Sequence, residues 1–119
     1  MKNIKQKELW NEFENHLINE QVTKRRIKKC LTMFNSLIRG INKPLEKVTR
    51  EDIEVFVTAL NKNEYKKIDG RDLSGSTKQD IKKFLRQFYK WKLGQNEFYP
   101  KQVSWIKTRI NKDERPEEK

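Results

Sequence analysis

The sequence is poor in the residues on which catalysis and metal binding most often rest. It holds one cysteine, Cys30, and one histidine, His16, in 119 residues. A lone cysteine excludes an intramolecular disulfide and a cysteine-based zinc site. Its spacing puts Cys30 on the apolar face of a helix, so it is expected to be a small core residue. His16 borders an apolar stripe and has no candidate catalytic partner, so a structural role is expected for it too. There is no Gly-rich phosphate loop, no Ser-His-Asp set and no metal-spaced Cys/His cluster. Asp69 and Asp72 share a loop, but two carboxylates without further oxygen ligands are expected to be turn residues rather than a cation site. No cofactor is expected, and nothing here catalyses a reaction by itself. No hydrophobic run approaches the ~20 residues of a membrane span. The first seven residues, Met1 to Lys7, lack the apolar centre of a signal peptide. An intracellular, cytoplasmic protein that does not engage a membrane is expected.

The more informative scarcity is of acid. Between Glu20 and Glu46 there is no Asp or Glu, while Lys24, Arg25, Arg26, Lys28, Lys29, Arg39 and Lys43 fall there. Between Asp80 and Asp113 the only acid is Glu97, against nine Lys and Arg residues. The acids gather at Glu8, Glu12 and Glu14, and again at Glu51, Asp52 and Glu54. A net charge of +11 spread evenly would argue only for solubility. Segregated in this way, it argues for a polyanionic partner, with nucleic acid the leading class.

The basic excess decorates a folded domain. Hydrophobic residues make up 34% of the chain and charged ones 38%, yet six Phe and three Trp recur at regular spacing. Disordered chains lack both aromatics and periodicity. The length fits one domain.

Apolar spacing predicts four main helices and no convincing strand. Leu9, Trp10, Phe13, Leu17 and Ile18 mark a first helix from about Gln6 to Glu20. Thr23 is a candidate N-cap for a second, with Ile27, Leu31, Phe34 and Ile38 as its stripe, Cys30 and Leu37 as flanks and Gly40 as its stop. Thr49 to Asp52 opens a third helix with acids in its first turn, where the helix dipole favours them. Ile53, Phe56, Val57 and Leu60 form its buried face. A long polar connection, residues 61–75, contains Asp69-Gly70, where a short hairpin is conceivable. Ser76 with Gln79 matches a capping box for the fourth helix. Ile81, Phe84, Leu85, Phe88 and Trp91 or Lys92 face inward, and Gly94 ends it. A shorter fifth helix is expected from Pro100 to Ile110, offering Val103, Ile106 and Ile110 with Trp105. Trp91 and Trp105 are expected in the core or an interface. The expected organisation is a domain over residues 1–110 followed by a polar linker, 111–119.

At about 100° per residue, Arg25, Lys29, Thr32 and Ser36 lie opposite Ile27 on the second helix. Gln79, Lys83, Arg86 and Lys90 lie opposite Ile81 on the fourth, with Lys82 beside them. A solvated face usually interleaves Glu with Lys at i, i+4, because such pairs stabilise the helix. These two helices do not. Lys and Arg neutralise phosphates, while Gln, Thr and Arg can read base edges in a major groove. The candidate DNA-binding residues are therefore Thr23, Lys24, Arg25, Lys28, Lys29, Thr32 and Arg39 on the second helix. On the fourth they are Ser76, Thr77, Lys78, Gln79, Lys82, Lys83, Arg86 and Lys90.

Other functions also fit parts of this pattern. A small helix-turn-helix regulator needs two helices joined by a short turn, whereas here the acidic third helix and a long loop separate the basic pair. A helical protein-interaction module predicts an exposed apolar patch and salt-insensitive binding. A nuclease lacks a convincing carboxylate cluster.

Three stretches resemble the N-terminal core-binding (SAM-like) domain of tyrosine recombinases of the phage-integrase type. They are Thr23-Lys24-Arg25-Arg26-Ile27, Leu45-Glu46-Lys47-Val48-Thr49-Arg50-Glu51-Asp52-Ile53, and Ser74-Gly75-Ser76-Thr77-Lys78 leading into Ile81 to Trp91. The resemblance covers roughly residues 6–94. It implies a compact all-α bundle of two crossed helical hairpins, forming half of a clamp around double-stranded DNA, with the second and fourth helices approaching the major groove. It also implies a catalytic domain of the same polypeptide and other recombinase protomers as partners, in a prokaryotic or phage-encoded system. This chain has no His-x-x-Arg pair, since His16 is followed by Leu17, Ile18 and Asn19. Tyr65, Tyr89 and Tyr99 lie outside the family's nucleophile context. The chain is thus expected to be a non-catalytic piece of a longer recombinase.

Overall fold

Helix α1 (Ile4–Asn19) is followed by α2 (Lys24–Ile41), a 3₁₀ turn (Leu45–Lys47), α3 (Arg50–Asn61) and α4 (Gly75–Lys92). This computed structural model describes residues 4–108 except Asn96. The fold class is all-α, with four main helices as expected and no strand among the described residues. Tertiary contacts group the chain into two compact units, one ending at Val48 and the other starting at Thr49.

In the first unit, Leu9, Trp10, Phe13 and Leu17 of α1 are buried. Trp10 meets Phe34 of α2 with ring centroids 5.3 Å apart, a spacing at which aromatic pairs add to the gain from burial. Thr23 caps α2, its side chain accepting from the Arg26 amide at 3.3 Å. The helix runs one residue beyond Gly40 and is closed by Asn42 in the left-handed region, φ 55°, whose amide donates to the Ile38 carbonyl. The buried face of α2 is Cys30, Phe34 and Leu37. Ile27 and Leu31, expected at the centre of the stripe, are only half-buried. The core-facing direction is rotated toward the expected flank, and Ile18 of α1 is 53% exposed.

In the second unit, Thr49 and Asp52 form a capping box: the Asp52 amide donates to Thr49 Oγ1 at 3.3 Å and the Thr49 amide to Asp52 Oδ2 at 3.0 Å. Ile53, Phe56, Val57 and Leu60 are buried on α3, as the spacing predicts. Ser74, not Ser76, caps α4, with the Thr77 amide donating to Ser74 Oγ at 3.1 Å. The two serines flank Gly75 in a Ser-Gly-Ser run, and Ser74 is the one with extended backbone, φ −70°, ψ 161°, the geometry an N-cap requires.

The 62–74 connection folds back on itself at the expected place. Lys66 and Asp72 form a single antiparallel bridge, the Lys67 amide donates to the Arg71 carbonyl, and Gly70 takes φ +89° at the turn. That conformation suits a residue without Cβ. Tyr65 packs edge-on against Phe56, centroids 5.3 Å apart.

Phe88 is the aromatic centre of the second unit, within 5.1 to 6.1 Å of Tyr89, Trp91 and Phe84. The expected fifth helix is instead a succession of turns from Lys101 to Trp105. The hydrogen bonds that form are the i, i+3 pairs Pro100–Val103 and Val103–Ile106 and one i, i+4 pair, Pro100–Ser104. Val103 and Ile106 are still buried. Ile110 and the linker 111–119 lie outside the described residues.

Candidate nucleic-acid interface

The α2 face is built as its charge pattern predicts. Lys24, Arg25, Arg26, Lys28 and Lys29 are all exposed, and the first turn carries no acid. Cations there oppose the positive end of the helix dipole, at a cost of roughly 0.3–1 kcal/mol each when exposed. Local helix stability therefore disfavours Lys24, Arg25 and Arg26. Thr32 is exposed, with its hydroxyl donating to the Lys28 carbonyl at 3.3 Å. Arg39 is exposed in the last turn, where the dipole favours it. Thr23 serves the helix start as its cap.

Cys30 lies behind this face and is buried. Burial pushes its thiol pKa above the ordinary value, against the opposing pull of Arg26 and Lys29. A protonated buried thiol is unreactive, consistent with a core residue. His16 is half-buried, its ring 5.9 Å from that of Phe13.

The α4 face departs from expectation. Ser76 and Lys83 are exposed, but Lys78 and Lys82 are buried, with relative exposures of 4% and 7%. The Lys78 ammonium donates to Asn63 Oδ1 at 2.8 Å. Both lysines are therefore withdrawn from the exposed DNA-facing set. The cause is the width of the buried arc: Tyr89 is 1% exposed, and it lies about 80° round the helix from Ile81, between the positions of Lys78 and Lys82. An inward Tyr89 carries its two basic neighbours in with it. Burial, helped by the Asp52 carboxylate, raises the Tyr89 phenol far above its usual pKa.

Thr77 is half-buried and its hydroxyl accepts from Ser74 at 2.9 Å, so it belongs to the cap. Gln79, Arg86 and Lys90 are half-buried although they point away from the core. For Arg86 and Lys90 the cover is Tyr99. The Arg86 guanidinium stands 4.2 Å and the Lys90 ammonium 4.8 Å from its ring centroid. Nothing in the residue spacing marks Tyr99 for this place, because its contact with α4 depends on how the chain returns after the helix.

The remaining expected features resolve into structure. Asp69 pairs with Arg71 at 2.7 Å, and Asp72 pairs with Lys66. The Arg71 side-chain bond and then its amide lower the Asp69 pKa, and the Lys66 bond lowers that of Asp72. They are turn residues with cationic partners, and the described residues contain no group of three or more metal-ligating side chains. Trp105 is half-buried, with its indole N–H donating to the Gln102 carbonyl at 2.8 Å and Arg50 5.7 Å over its ring. Among the described residues no helix is long and apolar enough to cross a membrane.

One concave apolar feature belongs to the first unit. Trp10, Ile18, Val22, Ile27 and Leu31 line a groove of about 590 Å³, together with Glu14, Lys24 and Lys28. The half-buried residues that the sequence placed in the stripe of α2 form one of its walls.

Compared with models of protein families, with curated proteins and with solved structures, the chain matches none of them.

Proposed function

We propose that the chain is a duplex-DNA-binding domain that grips the phosphate backbone through the basic faces of α2 and α4, as half of the clamp of a site-specific tyrosine recombinase or integrase. One observation carries the DNA-binding part. Five of the six residues from Lys24 to Lys29 are exposed cations, on a helix that has no acid in it and begins where cations are disfavoured. A helix optimised only for solubility would carry Glu at i, i+4 from these lysines. The recombinase part rests on the resemblance of residues 6–94 to core-binding domains. It makes the chain itself non-catalytic and its partners a catalytic domain and further protomers on the DNA.

On α4 the working contacts are Ser76, Lys83, Arg86 and Lys90, with Lys78 and Lys82 left to support the helix from inside. Half a clamp binds weakly and with little sequence preference, since phosphate contacts supply most of non-specific affinity. The test is an NMR titration of the labelled domain with a short random-sequence duplex at two salt concentrations. Shifts on Lys24 to Arg39 and Ser76 to Lys90 that fade with salt are expected. No shifts at low salt would overturn the proposal.

The apolar groove favours a second reading, a protein-interaction module, because a concave apolar surface in which Ile18 is exposed and Val22, Ile27 and Leu31 are half-buried above the buried Trp10 suits a partner helix better than a phosphate. Salt-insensitive shifts confined to these residues on adding a partner protein, with none on adding duplex, would select it.

A further inference from the structure

Arg86 and Lys90 sit one turn apart on α4, where like charges repel. Neither has a carboxylate partner among the described residues. The chain instead brings back an aromatic ring, and both head groups lie within cation–π distance of Tyr99, at 4.2 and 4.8 Å. Arg86 Nε is buried with no hydrogen-bond partner, so the stack on the ring, and no hydrogen bond at Nε, orients the guanidinium. Tyr99 itself is 41% exposed. The ring therefore fixes two cations without neutralising them, at a site open to solvent on one side.

Resting on the DNA-binding proposal above, we infer that Arg86, Lys90 and Tyr99 form a clasp for one or two backbone phosphates, in which Tyr99 is the positioning residue. The chemistry fits a phosphodiester. A guanidinium offers a planar fork to two phosphate oxygens, and an ammonium adds a compact point charge beside it. An internal carboxylate would compete with the ligand, whereas a ring face leaves both charges available. Holding the head groups in place before binding also reduces the side-chain entropy that is given up when the anion arrives.

The return that places Tyr99 is specifically built. The Gly94 amide donates to the carbonyls of Tyr89 and Lys90, and the Glu97 amide donates to the Gly94 carbonyl at 2.9 Å. Gln95 takes the left-handed conformation at φ 51°. This turn sends Tyr99 back to the side of α4 that carries Arg86 and Lys90.

The test compares the whole chain with Tyr99→Leu, Tyr99→Phe and the double variant Arg86→Gln/Lys90→Gln, using fluorescence anisotropy on a short labelled duplex across a salt series. Tyr99→Leu removes no charge yet is expected to weaken binding about two- to five-fold, the equivalent of an exposed cation–π contact. Tyr99→Phe keeps the ring face and is expected to match the wild type. The double variant is expected to flatten the salt slope by about 0.9 for each phosphate that is no longer neutralised. Amide spectra establish that each variant is folded, and if Tyr99→Leu is not, the salt slope of the double variant decides. Wild-type affinity in a folded Tyr99→Leu would overturn the clasp alone, whatever the double variant does. Failure of the wild type to bind duplex at low salt would overturn the DNA-binding proposal beneath it.

Discussion

Gly94 and Phe98 approach so closely that a Cβ on Gly94 would lie 2.1 Å from the Phe98 carbonyl oxygen and 2.8 Å from that of Lys90. Both obstacles are backbone atoms, so a flexible side chain cannot make room. Gly94 is buried at the end of α4, and its lack of a side chain is what permits the chain to turn back toward Arg86 and Lys90.

Gly94→Ala is therefore expected to destabilise the protein by about 1–3 kcal/mol, the usual range for overpacking a closed site. It is also expected to displace Tyr99 from Arg86. Urea denaturation measures the first effect, and the aromatic resonances of Tyr99 report the second. A folded variant with wild-type stability and unchanged Tyr99 resonances would contradict the close approach.

Lys78 and Lys83 are both lysines on α4, but their substitutions should have opposite consequences. Lys78→Ala leaves Asn63 Oδ1 without the donor it has in the folded protein, and a destabilisation of about 1–3 kcal/mol is expected for breaking such a part-buried bond. Lys83 is exposed, so Lys83→Ala should change stability by about 0.5 kcal/mol or less while weakening duplex binding. Thermal melts and anisotropy on the same pair of variants separate the two roles. Equal effects in both assays would show that the two lysines share one environment.

The 66–72 hairpin should loosen in acid. Its carboxylates, Asp69 and Asp72, titrate below the ordinary value because Arg71 and Lys66 bond to their ionised forms. A depressed folded pKa gives a stabilising contribution that is complete above the unfolded pKa, about 3.9 for Asp. It is lost as pH falls through the lower folded value. The amides of Lys67, Gly70 and Arg71 should therefore drift toward random-coil shifts below about pH 4 while α3 and α4 signals hold. Asp72→Asn should reproduce the loosening of the Lys66 bridge at neutral pH. An invariant hairpin spectrum through that acid range would show that the two ion pairs do not support the turn.

Much of the helical structure can be read directly from side-chain spacing. Thr23 and Thr49 cap their helices as their positions imply, because capping depends on residues two or three apart. The α3 face of Ile53, Phe56, Val57 and Leu60 follows for the same reason. Ser74 and Ser76 are harder to separate, since both sit at the start of the same helix and only the backbone conformation at Ser74 distinguishes them. The Pro100 to Ile110 segment has apolar spacing that a helix or a chain of turns satisfies equally well over so short a run.

On the candidate interface, Arg25 and Lys29 are legible because they fall opposite Ile27, on the side that an amphipathic helix leaves to water, whereas Lys24 and Arg26 are exposed in the first turn of α2 although their angular positions lie nearer its apolar face. The α4 cations are not equally legible. Lys78 and Lys82 border the apolar arc, and whether a border residue is exposed depends on how far the neighbouring segments wrap round the helix. Tyr89 decides this inward, and Tyr99 partly covers the opposite side. The sequence alone determined the all-α class, the helix starts at Thr23 and Thr49, and the separation of basic helices from acidic ones, all of which follow from local spacing and composition. Only the tertiary structure decided which lysines of α4 meet solvent and which aromatic ring meets Arg86 and Lys90, because those contacts join residues whose proximity depends on the path of the chain between them.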